Sequence, residues 1–101
     1  HFRKAVELHP NSAEGWLGLA ASYDQLKRFD LADRAYSEAM RLVGSTPEIL
    51  NNQGYSYILR GDYGRARATL LAGRAKDPNS AYIQNNLVIL DAAARKKKPL
   101  N

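Results

Sequence analysis

The chain has no cysteine. That excludes disulfides, thiolate metal sites and a thiol nucleophile, and it leaves the redox compartment unassigned. Histidine is nearly as scarce: only His1 and His9 are present. Neither has an acid and a nucleophile spaced around it, and two histidines without further ligands make a poor metal site, so both read as surface residues. The longest apolar runs, such as Leu87 to Leu90, fall far short of the roughly 18 residues a membrane-spanning helix requires. Period-two alternation and β-branched runs are missing, so no strand signal competes with a helical reading. Gly61 and Gly64 lack the following Gly-Lys-Ser/Thr of a phosphate loop and mark a turn. Asp62 and Asp77 read as turn and helix-end residues, and no two acids are placed for general acid-base work. The expectation is a chain that is not an enzyme and holds no metal or cofactor.

The 101 residues amount to one domain, and 45% hydrophobic with 25% charged is an ordinary globular balance. The net charge is +5, and the run Arg95, Lys96, Lys97, Lys98 supplies nearly all of it. A near-neutral body argues against nucleic acid as partner, since phosphate binding needs a clustered basic face. The run itself reads as a solvated tail. His1 stands in the middle of a helical pattern and no signal peptide is visible, so the chain reads as a piece of a longer protein.

The strongest pattern is internal. Shifting Leu50 to Pro78 back by 34 residues sets Gly54 on Ala20, Tyr57 on Tyr23, Tyr63 on Phe29, Ala66 on Ala32, Leu70 on Tyr36 and Gly73 on Ala39. A second shift sets Phe2, Ala5 and Pro10 on Tyr36, Ala39 and Gly44. A fixed period of this size means stacked supersecondary units that share one continuous core.

Each unit reads as a helical hairpin. Phe2, Ala5, Val6 and His9 recur at helical spacing up to Pro10, after which Asn11 or Ser12 caps the next helix and Glu14 completes a capping box with Asn11. Trp16, Leu19, Ala20, Tyr23 and Leu26 form the stripe of one helix. A turn at Lys27-Arg28 leads to a second helix from Phe29 to a stop at Gly44. Thr46-Pro47-Glu48 opens the next hairpin with a cap hydroxyl, a proline at the first helical position and an early acid. That hairpin turns at Arg60-Gly61-Asp62 and ends at Asp77-Pro78, and a last helix runs from Asn79 or Ser80 to about Arg95. Small residues at Ala20, Gly54, Ala32, Ala66, Ala39 and Gly73 let backbones approach, while Trp16, Tyr23, Tyr36, Tyr57 and Leu70 fill the space beside them.

These residues resemble the tetratricopeptide repeat, W-x2-L-G-x2-Y followed by A, F, A and P over 34 residues. Trp16, Leu19, Ala20, Tyr23, Ala32, Tyr36 and Ala39 carry the pattern in the first full repeat; Gly54, Tyr57, Ala66, Leu70, Gly73 and Pro78 carry it in the second. Gly44, Gln53 and Asp91 depart from it. The resemblance implies an all-α superhelix of helical hairpins, two full repeats flanked by half repeats. It would be one domain over 1–98, with 1–10 the second helix of a preceding repeat, repeats over 13–46 and 47–80, a terminal helix over 81–95 and a basic tail over 96–101. The run NNQGYSYILRGDYGRAR with DPNSAYIQNNL is also similar to TadD-type proteins of bacterial Flp pilus assembly. A setting of that kind would place the protein in the periplasm or at the outer membrane, and otherwise the cytoplasm is expected.

The family's groove positions, carried over, are Glu14, Leu17, Gly18, Ala21 and Asp24; Glu48, Asn51, Asn52, Tyr55 and Ile58; and Tyr82, Asn85, Asn86, Ile89 and Ala92. The resemblance implies a protein or peptide partner in that concave groove. The asparagine pairs recur one period apart, and each amide offers donor and acceptor, so a ladder of them could grip an extended backbone; the alternative is that they solvate a helix face or touch the neighbouring repeat. Tyr55 and Tyr82 are the aromatic anchor candidates. A carboxylate clamp of Lys and Asn, found in some members, is not expected, because Leu17 and Ala21 stand at two of its positions. The alternative to a partner-binding scaffold is a structural spacer or oligomerisation unit. The last helix, with Ile83, Leu87, Val88, Ile89, Leu90 and Ala92 to Ala94, looks apolar on more than one face, which points to a further helix or to self-association.

Overall fold

The computed structural model describes residues 12–97, so the expectations for His1 to Asn11, both histidines included, and for the end of the basic run lie outside the described residues. Five helices follow one another: α1 Ala13–Gln25, α2 Phe29–Val43, α3 Pro47–Leu59, α4 Tyr63–Lys76 and α5 Ala81–Lys97. There is no strand among the described residues.

Four of the five helix starts have a side-chain cap, and α2, which follows Arg28, has none. Side-chain oxygens of Ser12, Thr46, Asp62 and Ser80 accept from the backbone N–H three residues on, at Gly15, Ile49, Arg65 and Ile83, which satisfies donors that have no partner inside the helix. Asn11 is thus not needed as the cap of α1, and Pro47 sits at the start of α3, where its missing N–H costs nothing. The two hairpin turns are also built alike. Arg28 N–H bonds the Tyr23 carbonyl at 2.8 Å, and Asp62 N–H bonds the Tyr57 carbonyl at 2.9 Å. Both turns need a left-handed residue, and the second supplies Gly61 at φ 78 where the first supplies Lys27 at φ 59.

Helices α1 and α2 pair as one hairpin and α3 and α4 as the next, with α5 laid against α3 and α4. The core runs across the seams. In the first cluster Leu17, Leu19 and Ala20 of α1 meet Ala32, Ala35, Tyr36 and Ala39 of α2, and Ile49 of α3 closes it. In the second, Ile58, Ala66 and Leu70 meet Ile83, Leu87 and Leu90 of α5. Each hairpin therefore completes the interior of its neighbour, and burying each large apolar side chain contributes about 1.5 to 3 kcal/mol. Close approach is literal at two glycines. A Cβ on Gly54 would stand 2.6 Å from the Leu70 side chain, and one on Gly73 would stand 3.0 Å from Ile83 and 3.3 Å from Leu50.

The apolar residues of α5 divide between buried and exposed positions. Its Ile83, Leu87 and Leu90 are buried, and the stripe facing away from the stack is Gln84, Val88, Asp91 and Arg95, all exposed. Three of those four are polar and Asp91 is paired with Arg67 at 2.8 Å, so the helix has the water-facing side that composition alone did not reveal. Val88, 58% exposed, is apolar surface within that stripe, and Tyr82 and Ile89 add more beside it.

Candidate partner-binding groove

Helices α1, α3 and α5 lie side by side along one face, where they wall two adjoining concavities of about 550 and 400 Å³. Both include Ala21 and Asn52, so they form one groove. The larger is lined by Glu14, Leu17, Gly18, Glu48 and Asn51, with Asp77, Ser80 and Tyr82 at the α5 end. The smaller adds Tyr55, Asn85, Asn86 and Ile89. Of the groove positions carried over from the repeat, all but Ile58 and Ala92 line one concavity or the other, because first helices at a constant repeat angle present the same positions to the same side.

Their availability differs. Tyr82 is 79% exposed, and Glu14, Glu48, Asn85 and Ile89 also stand in water. Ala21, Asn51, Asn52 and Tyr55 are half-buried, Tyr55 against the second core. Leu17, at 7% exposed, belongs to the first core and offers the groove only its floor. Asn86, at 9%, donates to Asn51 Oδ1 at 2.7 Å, so that pair ties α5 to α3. Half of the asparagine ladder is therefore structural. The side chains of Asn52 and Asn85 make no hydrogen bond among the described residues, and they remain free to bind.

Two further groove positions, like Leu17 and Asn86, are buried. Ile58 is in the second core, and Asp24 is 4% exposed. Asp24 is instead the centre of a polar seam between the hairpins. Tyr36 Oη donates to Asp24 Oδ2 at 2.7 Å and approaches the Asn52 carbonyl at 3.1 Å; Ser56 Oγ donates to Asp24 Oδ1 at 2.6 Å. Arg60 donates to Ser56 Oγ at 2.6 Å and grips Asp33 with both terminal nitrogens, at 2.9 and 2.8 Å. Its guanidinium lies 4.8 Å from the ring centres of both Phe29 and Tyr57, close enough for two cation–π contacts.

Burial acts on the ionisation of this seam. Loss of water pushes the Asp24 carboxyl above its ordinary value, against the opposing pull of the Ser56 and Tyr36 hydrogen bonds and of Arg60. Tyr36 is pushed far above the ordinary phenol range by the same burial and by the carboxylate it donates to, which keeps its proton in place as a donor. The Asp33 hydrogen bonds raise Arg60, which stays charged.

The seam was missed because its hydrogen-bonded partners are up to 32 residues apart in sequence. A signal was nevertheless present. Tyr36 and Asp24 align with Leu70 and Ile58 one period later, so a polar pair in one repeat becomes an apolar pair in the next. A hydroxyl at a core position must find a partner, and the residue that changes character along with it is the one that supplies it.

The model of the tetratricopeptide repeat matches residues 13–42, and the hairpin stack described above is that repeat's fold. Over 92 residues, 90% of its length, the chain is 33% identical to the cytochrome c-type biogenesis protein CycH of Pseudomonas aeruginosa, of which it covers 22%. Over 41 residues, 41% of its length, it is 54% identical to the formate-dependent nitrite reductase complex bifunctional subunit NrfFG of Haemophilus influenzae, of which it covers 11%. The chain therefore spans about a fifth or less of these curated relatives. Neither is named for pilus assembly, so the similarity to TadD-type proteins gains no support from them.

Proposed function

We propose that this tetratricopeptide-type stack is a scaffold, not a catalyst, that holds a segment of another protein in the groove of α1, α3 and α5, in the setting of c-type cytochrome biogenesis. The observation that carries the reading is the pairing of unsatisfied amides at Asn52 and Asn85 with the exposed ring of Tyr82 on one concave face. Amides that both donate and accept suit a main chain in extended form, and a tyrosine contributes contact area at low entropic cost. The setting rests on the similarity to the cytochrome c-type biogenesis protein of Pseudomonas aeruginosa, and it replaces pilus assembly as the favoured one.

The test is a partner captured from the native cell with the full protein and identified by mass spectrometry, then titrated against groove variants. Asn52→Ala with Asn85→Ala should weaken binding about tenfold or more, and Tyr82→Ala comparably, with helical content unchanged. Undiminished binding in the double amide variant would leave the stack as a spacer between other parts of its parent protein.

A further inference from the structure

The helices that wall the groove differ in charge from α4 behind them, while α2, also behind, carries Asp30, Asp33 and Glu38 against Arg34 and Arg41. Neither α1 nor α3 contains a lysine or arginine, and α5 has none before Arg95. On the opposite side, α4 carries Arg65, Arg67, Arg74 and Lys76 with no acid. Among the described residues no cation lines either concavity, whereas the larger one presents the carboxylates of Glu14, Glu48 and Asp77.

Four of the acids outside these three carry an arginine partner, Asp30 of α2 being an exposed acid that does not. Glu38, Asp33, Asp62 and Asp91 are each bound by an arginine, while Glu14, Glu48 and Asp77 have no cationic partner among the described residues. The neighbouring Lys76 is occupied by the carbonyl of Ser45. Helix dipoles do not account for the excess. The larger concavity sits where α1, α3 and α5 begin, and each helix start contributes about half a positive charge; three carboxylates against three such ends leave roughly one and a half negative charges uncompensated. Beneath them lie Leu17 and the exposed face of Tyr82.

We propose that the occupant of this groove is a cationic segment, lysine- or arginine-bearing with apolar residues between, whose charges meet Glu14, Glu48 and Asp77. The proposal rests on the groove reading given above and specifies its partner's chemistry. It runs against the field of the whole chain, which is +5 and would by itself attract anions. A preference for cations therefore has to arise locally, and this makes it a sharp test.

Three labelled extended peptides of one length, alternating leucine with lysine, glutamine or glutamate, are titrated against the protein by fluorescence anisotropy. The lysine peptide should bind about tenfold tighter than the glutamine peptide, and the glutamate peptide weakest. The advantage should shrink as salt rises, since these carboxylates are solvent-facing. Glu14→Gln, Glu48→Gln and Asp77→Asn together should abolish it while the circular dichroism spectrum is retained. Asn52→Ala should weaken the lysine and glutamine peptides alike. Equal affinity for all three peptides, each weakened by Asn52→Ala, would overturn the cationic preference and leave the groove standing. Binding of none, or binding indifferent to Asn52→Ala and Tyr82→Ala, would remove the groove and the preference together.

Discussion

Gly54→Ala is the perturbation whose outcome the packing model fixes most tightly, because two opposing effects act at one atom. In a helix interior the change from glycine to alanine is favourable by about 0.5 to 1 kcal/mol. Here the new methyl would stand 2.6 Å from Cγ and Cδ2 of Leu70, and Leu70 is fully buried against α5 residues that cannot give way without disturbing the second core. Overpacking of this sort costs about 1 to 3 kcal/mol. The net expectation is a loss of about 0.5 to 2 kcal/mol, and for a chain of this size each kcal/mol lowers the melting temperature by about 4 to 8 °C. A double-mutant cycle isolates the cause. Leu70→Ala alone should cost about 2 to 5 kcal/mol through its cavity, but with that side chain gone Gly54→Ala should reverse sign and stabilise, by its helical preference and by partly filling the space. Urea denaturation of the four proteins measures this directly. Gly64, whose Cβ would meet nothing within 4 Å, is the control, and Gly64→Ala should be neutral or slightly stabilising. A rise in the midpoint for Gly54→Ala alone, or an equal cost with and without Leu70, would show that the hairpins do not meet as described.

The polar seam and the first turn yield three further expectations. Because burial raises the Asp24 carboxyl in the folded state, the folded protein takes up a proton that the unfolded chain does not. The stability this group withholds at neutral pH is returned as pH falls through its folded value and is complete below the unfolded value of about 3.9. The stability difference between wild type and Asp24→Asn should therefore move in favour of wild type from about pH 7 to about pH 4 in urea melts; movement the other way would mean that the hydrogen bonds outweigh desolvation. Arg60→Lys should cost about 1 to 2 kcal/mol, since a lysine cannot fork onto Asp33 and lie between Phe29 and Tyr57 at once, and a loss no greater than that of exposed Arg41→Lys would remove Arg60 from the seam's energetics. Lys27→Gly should stabilise by about 0.5 kcal/mol in a thermal melt, because a side chain at φ 59 carries strain that Gly61 avoids in the equivalent turn; a lowered melting temperature would contradict it.

The helical hairpins were legible because their determinants are local or periodic. Pro47, Gly61 and the cap hydroxyls act within three or four residues, and the 34-residue offset shows which small and large positions recur. The groove positions were legible for the same reason, as fixed places in the repeat. Burial within the groove was not. Leu17, Ile58, Asp24 and Asn86 occupy the same repeat positions as exposed neighbours, and their fate depends on how far α3 and α5 close over them, which is a property of the angle between hairpins. Asp24 was the hardest case: an aspartate on a helix surface is normally solvated, and only its distant partners Tyr36 and Ser56 keep it inside.

Those partners give the two seams different roles. The one between α3, α4 and α5 is mainly apolar, closed by Leu70, Ile83 and Leu90 with the Asn86–Asn51 bond and the Arg67–Asp91 pair beside them, and its apolar contribution changes gradually with small shifts of the helices. The one between the first two hairpins is a chain of directional bonds through Asp24, Ser56, Arg60 and Asp33, and such bonds weaken steeply outside a narrow range of angle and distance. Removing one member strands the others in a buried site, at about 1 to 3 kcal/mol for each unpaired group. Tyr36 extends that chain to the backbone carbonyl of Asn52, the residue common to both parts of the groove. The orientation of the first hairpin is thus tied by hydrogen bonds to the backbone that presents the central amide, so a change at Asp24 should alter groove affinity even where it leaves the core intact.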